Sequence, residues 1–265
     1  MNVAYHLSRH GVNALPVTAV GKDLLGAELL RRLKGWGIDT RHVAVLGGKP
    51  TGTVQVQLDR SGKPVYEIIR RVAWDEIPTS RGLLAQARTC KAIVFGSLAQ
   101  RTPHNREQLQ KILDAAPKAW KVFDINLRPP FDDLKLVRAL SRRSSLIKLN
   151  DDELGRFAGR KLAPGRLEKA ARNLSEEAGC ERVCVTAGAH GAGLLWEGKW
   201  IWEEPRPIQV KDTVGAGDAF LASLVYHLLF ADAPVRQALA KASRLAEFVA
   251  SREGAAPAYE AKQAR

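Results

Sequence analysis

The run Val210-Lys-Asp-Thr-Val-Gly-Ala-Gly-Asp-Ala-Phe220 decides how this chain is read. It leads from a short extended segment into an apolar stretch that continues to Phe230 and has the length of a helix. Gly215, Ala216 and Gly217 carry little or no side chain, so a ligand can come close to their backbone N–H groups. Those groups open the helix, where donors are unpaired and the helix dipole is positive. Such an end suits phosphate oxygens. Asp218 follows in the first turn. Aspartate is common there as a cap, but a carboxylate beside a phosphate repels it unless it takes part in the chemistry. Accepting the proton of an attacking hydroxyl would be such a part. No Lys-Ser/Thr follows the glycines, so the run is neither a Walker A loop nor a dinucleotide fingerprint.

Working outward, short apolar strands alternate with amphipathic helices. Strands are expected at Ala92–Phe95, Lys121–Ile125, Ser145–Leu149, Arg182–Thr186 and Ala192–Trp196. Helices are expected between them and over 218–230 and 235–250. This rhythm implies a mostly parallel sheet with helices on both faces, an α/β fold. In such sheets ligands bind beyond the carboxyl ends of the strands. Attention therefore falls on Gly96-Ser97, Asn126 with Arg128, Asn150 with Glu153, and Thr186 with Gly188. Residues 51–70 differ: Thr53–Leu58 alternates, Ser61-Gly62 offers a turn and Val65–Ile69 continues, as in an antiparallel hairpin with one wet face. The chain opens in helix, strand, helix order, with Asp23 capping the second helix. The tail from Ala255 to Arg265 is expected to fray.

Composition narrows the classes. The 265 residues, 45% hydrophobic, suffice for a sizeable core. A formal net charge of +13 raises the prior for anionic partners. The basic clusters are short, as at Arg31-Arg32 and Arg142-Arg143, and no aromatic-interleaved or zinc module accompanies them, so a solvated basic surface outweighs nucleic-acid binding. Three cysteines, Cys90, Cys180 and Cys184, fit a reducing cytosol and no disulfide framework. The longest apolar helix candidate is too short to span a bilayer and contains His227, so a cytoplasmic protein without membrane contact is expected.

The run around Asp218 resembles the C-terminal signature of the ribokinase-like (PfkB) carbohydrate kinases, and other segments match that family in order. Asn2-Val-Ala-Tyr-His-Leu7 is similar to the end of its N-terminal signature, Val20-Gly-Lys-Asp-Leu-Leu-Gly26 to its Val-Gly-x-Asp-x-x-Gly segment, and Asp124-Ile-Asn-Leu-Arg128 to its Asp-x-Asn-x-Arg. Lys148-Leu-Asn-Asp-Asp-Glu153 and Thr186-Ala-Gly-Ala-His-Gly191 also find counterparts. The resemblance implies a three-layer α/β/α sandwich with a small β lid at about 51–70. It implies phosphoryl transfer from ATP to a sugar hydroxyl, with Asp218 as base, Gly215, Ala216 and Gly217 as anion hole, and Arg128 near the transferring phosphate. It implies Asn2 and Gln100 on the sugar, and Thr186, Gly188 and Gly191 on the nucleotide. Asn150 and Glu153 would organise Mg2+, in part through water. Asp212, with backbone near Val249, Arg252 and Gly254, would hold K+. Dimerisation through the lid is one implied assembly.

The details of the Asp124 and Lys148 segments look most like the fructokinase branch; other branches act on other sugars or nucleosides. Each match also has a plainer structural meaning: Asn150 can simply cap a helix and Gly188 can serve a turn. The family begins with a strand bearing a sugar-binding aspartate and then a Gly-Gly pair. The given sequence starts at Met1, directly before Asn2, so one N-terminally shortened domain over 1–265 is expected. A non-catalytic, nucleotide-binding relative is the alternative that such a chain leaves open.

Overall fold

The computed structural model describes residues 1–58 and 64–259. Helix α1 (Asn2–Arg9) is followed by β1 (Thr18–Gly21), α2 (Leu24–Gly35) and β2 (Val43–Leu46). Strands β1 and β2 pair in parallel as a sheet of their own. The Asp23 side chain caps α2 by accepting from the Gly26 N–H at 2.8 Å, as expected. It also accepts from the Thr51 hydroxyl, which ties the start of α2 to the segment entering the hairpin.

The hairpin is present as β3 (Val54–Leu58) and β4 (Pro64–Ile68), antiparallel and separate from the other sheets; its Ser61-Gly62 turn lies outside the described residues. Its base is held by a buried ion pair, Arg101 to Asp75 at 2.6 Å. The same guanidinium donates to the Ile69 carbonyl at 2.6 Å and stacks 3.9 Å from the centre of the Trp74 ring.

The remaining elements are α3 (Arg81–Ala87), β5 (Ala92–Gly96), α4 (Pro103–Ala115), β6 (Trp120–Asp124), α5 (Leu134–Ser141), β7 (Leu146–Asn150), α6 (Asp151–Phe157), α7 (Leu167–Ala178), β8 (Arg182–Thr186), β9 (Ala192–Trp196), β10 (Lys199–Glu203), α8 (Ala216–Leu229) and α9 (Val235–Ala250). The large sheet runs in the order β10-β9-β8-β7-β6-β5. Strands β5 to β8 are parallel, and β9 and β10 return antiparallel at one edge.

Alternation along these strands builds the layers. Phe123, Ile147, Leu149, Val183 and Val185 join a cluster with Leu109, Leu113, Leu154, Leu167 and Leu174 from α4, α6 and α7. Their neighbours Val122, Leu146 and Cys184 join Leu7, Phe220, Leu221, Leu224 and Leu239 from α1, α8 and α9 on the opposite face. The sheet is thus buried on both sides.

The tail departs from expectation up to Tyr259. Its ring is buried and its hydroxyl lies 2.9 Å from His6 Nδ1, while Tyr5 donates to the Pro257 carbonyl at 2.8 Å. The Arg9 guanidinium donates to the Tyr259 carbonyl. The overlooked signal is the one aromatic residue of the tail: Tyr259 fills a gap between α1 and Phe248 of α9.

One buried group of α8 makes the fold sensitive to acid. Both ring nitrogens of His227 lack a hydrogen-bond partner among the described residues. Burial, and then the charge of Lys241, push its pKa down to about 4. The folded state therefore binds fewer protons than the unfolded state between that value and the ordinary histidine value near about 6.5. Stability is complete above this window and declines as pH falls through it. Melting temperature followed from pH 7 to 4 should fall in the parent protein and fall less steeply in His227→Leu. Parallel curves would contradict the assignment.

Candidate active site

The carboxyl ends of the parallel strands lie side by side. Register pairs Gly96 with Asp124, Asp124 with Lys148 and Asn150 with Thr186. Residues singled out from four separate segments thus share one edge of the sheet. Asn126, just past β6, has a φ of 44°, in the left-handed region that asparagine tolerates better than most residues.

Asn150 caps α6. Its side-chain oxygen accepts from the Glu153 N–H at 2.7 Å, while Glu153 Oε2 accepts from the Asn150 N–H at 2.9 Å. Glu153 Oε1 accepts from the Leu127 N–H at 2.6 Å, so this buried carboxylate fixes the Asp124–Arg128 segment against α6. Burial pushes the Glu153 pKa up, against the pull of those N–H donors and of Lys148. Each oxygen has further acceptor capacity, which fits a water-mediated contact to Mg2+. No group of three or more His, Cys, Asp or Glu residues among the described residues could hold a metal by itself. A magnesium ion here would take its other ligands from phosphate and water.

The N-terminus of α8, like those of α1, α7 and α9, has no side-chain cap, and it alone among them begins on a left-handed glycine. Helices α2, α3, α4, α5 and α6 are capped by Asp23, Ser80, Thr102, Asp133 and Asn150. Helix α8 starts after Gly215 with no side-chain cap. The Ala216 N–H reaches the Thr213 carbonyl at 3.3 Å, and the N–H groups of Gly217 and Asp218 find no acceptor among the described residues. Gly215 has a φ of 82°, and a Cβ there would sit 2.6 Å from Ala255. Glycine is therefore required by backbone conformation and by the close approach of the chain after α9.

Asp212 locks these two segments together. Its carboxylate accepts from the Val214 N–H at 2.9 Å and from the Gly254 N–H at 3.1 Å. The Val249 carbonyl accepts from the Arg252 N–H on the same turn. Of the expected cation residues, Val249, Arg252 and Gly254 thus lie on the turn after α9, and Asp212 is tied to it from the segment before α8.

Asn2 is brought directly to Asp218: its side-chain amide donates to Asp218 Oδ2 at 2.8 Å. Gln100 lies in the turn after β5, buried, with its side-chain oxygen unpaired among the described residues. Arg128 is exposed and folds back to donate to the Leu127 carbonyl at 3.0 Å. Thr186 ends β8 and its hydroxyl points to the Leu149 carbonyl at 3.5 Å. Gly188 and Gly191 have φ of 52° and 108°; a Cβ on Gly191 would come 2.3 Å from the Glu203 carbonyl, so turn geometry accounts for both glycines.

Two charged groups beneath this edge were overlooked as site residues. Lys148 Nζ donates to Asp124 Oδ1 at 3.1 Å, and both side chains are buried. Their signal was a lysine inside an otherwise apolar parallel strand. Burial opposes the Lys148 charge, and the neighbouring Asp124, Glu153 and Asp218 carboxylates outweigh it, so its pKa stands above the ordinary value. Burial pushes the Asp124 carboxyl upward against the attraction of Lys148.

Comparisons with known proteins bear on the family and the fold. The sequence profile of the pfkB family carbohydrate kinases matches residues 1–262. A fructokinase of Rhizobium leguminosarum bv. trifolii is 26% identical over 233 residues, covering 86% of this chain and 69% of the relative. A fructokinase of Salmonella typhimurium is 27% identical over 234 residues, covering 86% and 75%. Among solved structures, Arabidopsis thaliana ribokinase complexed with ribose and ATP superposes with a TM-score of 0.83 at 22% identity, over 99% of this chain and 84% of that one. A 2-dehydro-3-deoxygluconokinase of Thermotoga maritima gives 0.84 at 17% identity, over 99% and 87%. The chain shares the ribokinase-like fold of these structures.

Gly215→Ala should destabilise the protein by about 2 kcal/mol, because it forces a side chain into left-handed backbone and against Ala255. Denaturant unfolding measures this. An unchanged midpoint would show that the two segments are not packed as described.

Proposed function

Because the chain belongs to the pfkB family of carbohydrate kinases, we propose that it transfers the terminal phosphoryl group of ATP to a sugar hydroxyl, with fructose the first substrate to test. The observation that carries this is the uncapped α8 N-terminus, where free backbone donors stand beside a carboxylate already hydrogen-bonded to Asn2. Such an end receives a phosphate, and the adjacent carboxylate receives a proton.

In this reading Asp218 accepts the proton of the attacking hydroxyl. The hydroxyl oxygen forms a bond to the terminal phosphorus of ATP as the bond to the bridging oxygen breaks, and ADP leaves with that electron pair. Gly215, Ala216 and Gly217 direct their N–H groups at the charge that spreads over the transferring oxygens. Arg128 swings from the Leu127 carbonyl to the phosphate, where a planar guanidinium offers paired donors. Asn2 turns from Asp218 to a sugar hydroxyl, and the unpaired Gln100 oxygen accepts from another. Thr186, Gly188 and Gly191 border the nucleotide.

Magnesium would neutralise phosphate charge, held by Asn150 and Glu153 in part through water. A potassium ion at Asp212, Val249, Arg252 and Gly254 would steady the turn behind the anion hole. The hairpin β3–β4 serves as the lid over the sugar and as a surface for dimerisation, and the reaction takes place in the cytoplasm.

Coupled ADP release measured across a panel of sugars tests the proposal. Sugar-dependent turnover is expected, and Asp218→Asn should lower kcat by about 10³-fold with little change in KM for ATP. Undiminished turnover in that variant would remove Asp218 from its role. ATP binding without turnover on any sugar would favour a non-catalytic, nucleotide-binding protein.

A further inference from the structure

Strand parity sends Asp124 and Lys148 to the α8 face, because they share the orientation of Val122 and Leu146. There they meet the start of α8. A Cβ built on Gly217 would stand 3.1 Å from Lys148 Nζ, so the ammonium lies directly against the anion-binding turn. Asp124 takes one of its three N–H donors, and no other hydrogen bond of the ammonium occurs among the described residues. Asp218 and Glu153 add electrostatic attraction without contact.

This placement runs against structural economy. A helix N-terminus carries partial positive charge and favours an anion, so a buried cation there opposes the dipole. A well-packed apolar pair of the same volume would serve stability as well or better than a buried Lys–Asp pair. The arrangement gains a purpose when an anion occupies the turn, since a fixed positive charge in a dry site stabilises charge that develops in front of it. The small size of residue 217 favours the same contact, since a Cβ there would press on the ammonium at 3.1 Å.

We propose that Lys148 is a positioning residue for phosphoryl transfer, its ammonium held by Asp124 against Gly217 so that positive charge backs the anion-binding turn at the start of α8. This inference rests on the proposed kinase reading. It also predicts why Gly217 is glycine without appeal to ligand approach, and it makes Asp124 a partner of Lys148 with no direct contact to substrate.

The test uses the double variant Asp124→Asn/Lys148→Met beside the single Lys148→Met. The single variant leaves Asp124 buried without its counter-charge and should unfold more readily. The double variant removes both charges and should melt near the parent temperature. If Lys148 acts on the phosphate, the double variant nevertheless loses kcat by about 10²-fold, with KM for the sugar changed less than about threefold. Calorimetry should also show its preference for a non-hydrolysable ATP analogue over ADP reduced by about tenfold, because the anion-binding turn is weakened.

A double variant that keeps both kcat and this preference would reduce Lys148 and Asp124 to a structural pair and overturn the proposal. If the parent turns over no sugar, the kinase reading fails, while the nucleotide preference still decides the role of Lys148. If the parent binds neither nucleotide, both fail together.

Discussion

An uncapped helix end held at the carboxyl edge of a sheet is the constraint on which this structure depends. Free N–H groups at a buried or half-buried helix start are costly unless something answers them. Here the end of α8 is kept open, and its position is set from several sides. Gly215 packs on Ala255, Asp212 binds Gly254, and the chain after α9 is pinned through Pro257 and Tyr259 to α1. The first residue of α1, Asn2, then reaches back to Asp218. Two ends of the chain, far apart in sequence, are joined around one turn.

The electrostatics of that turn are layered. In front of the sheet edge stand backbone donors with no charge of their own. Behind them lies the Lys148 ammonium with Asp124, and beyond it Glu153, whose carboxylate accepts from two backbone N–H groups. Three carboxylates surround one lysine, so the interior is acidic until a cation or a basic group joins it. This balance is consistent with a site that works with Mg2+ and phosphate together, each compensating the other.

Much of this was legible in the sequence, and for identifiable reasons. Strands such as Lys121–Ile125 and Arg182–Thr186 carry adjacent apolar residues, Val122-Phe123 and Val183-Cys184-Val185, as a sheet covered on both faces requires. The helix starts at Asp23 and Asn150 carry capping chemistry that shows at the level of single residues. The glycines around Ala216 marked the start of α8, and in the structure Gly215 and Gly217 answer to Ala255 and Lys148. What escaped was set by tertiary context. Strand β2 is four residues long and, among the described residues, pairs with β1 alone, and β10 carries alternating tryptophans whose partner Gly193 lies on another strand. Lys148 meets Asp124 only through strand register, which the sequence does not display.

The central claim is that the first amides of α8 receive the terminal phosphate of ATP. Protein labelled with 15N-glycine makes this directly visible, since Gly215 and Gly217 each give one amide resonance. The account predicts that a non-hydrolysable ATP analogue with Mg2+ shifts the Gly217 amide strongly, and that ADP at saturation shifts it little. A Gly217 resonance that stays in place with the analogue bound, or moves equally with ADP, would contradict it.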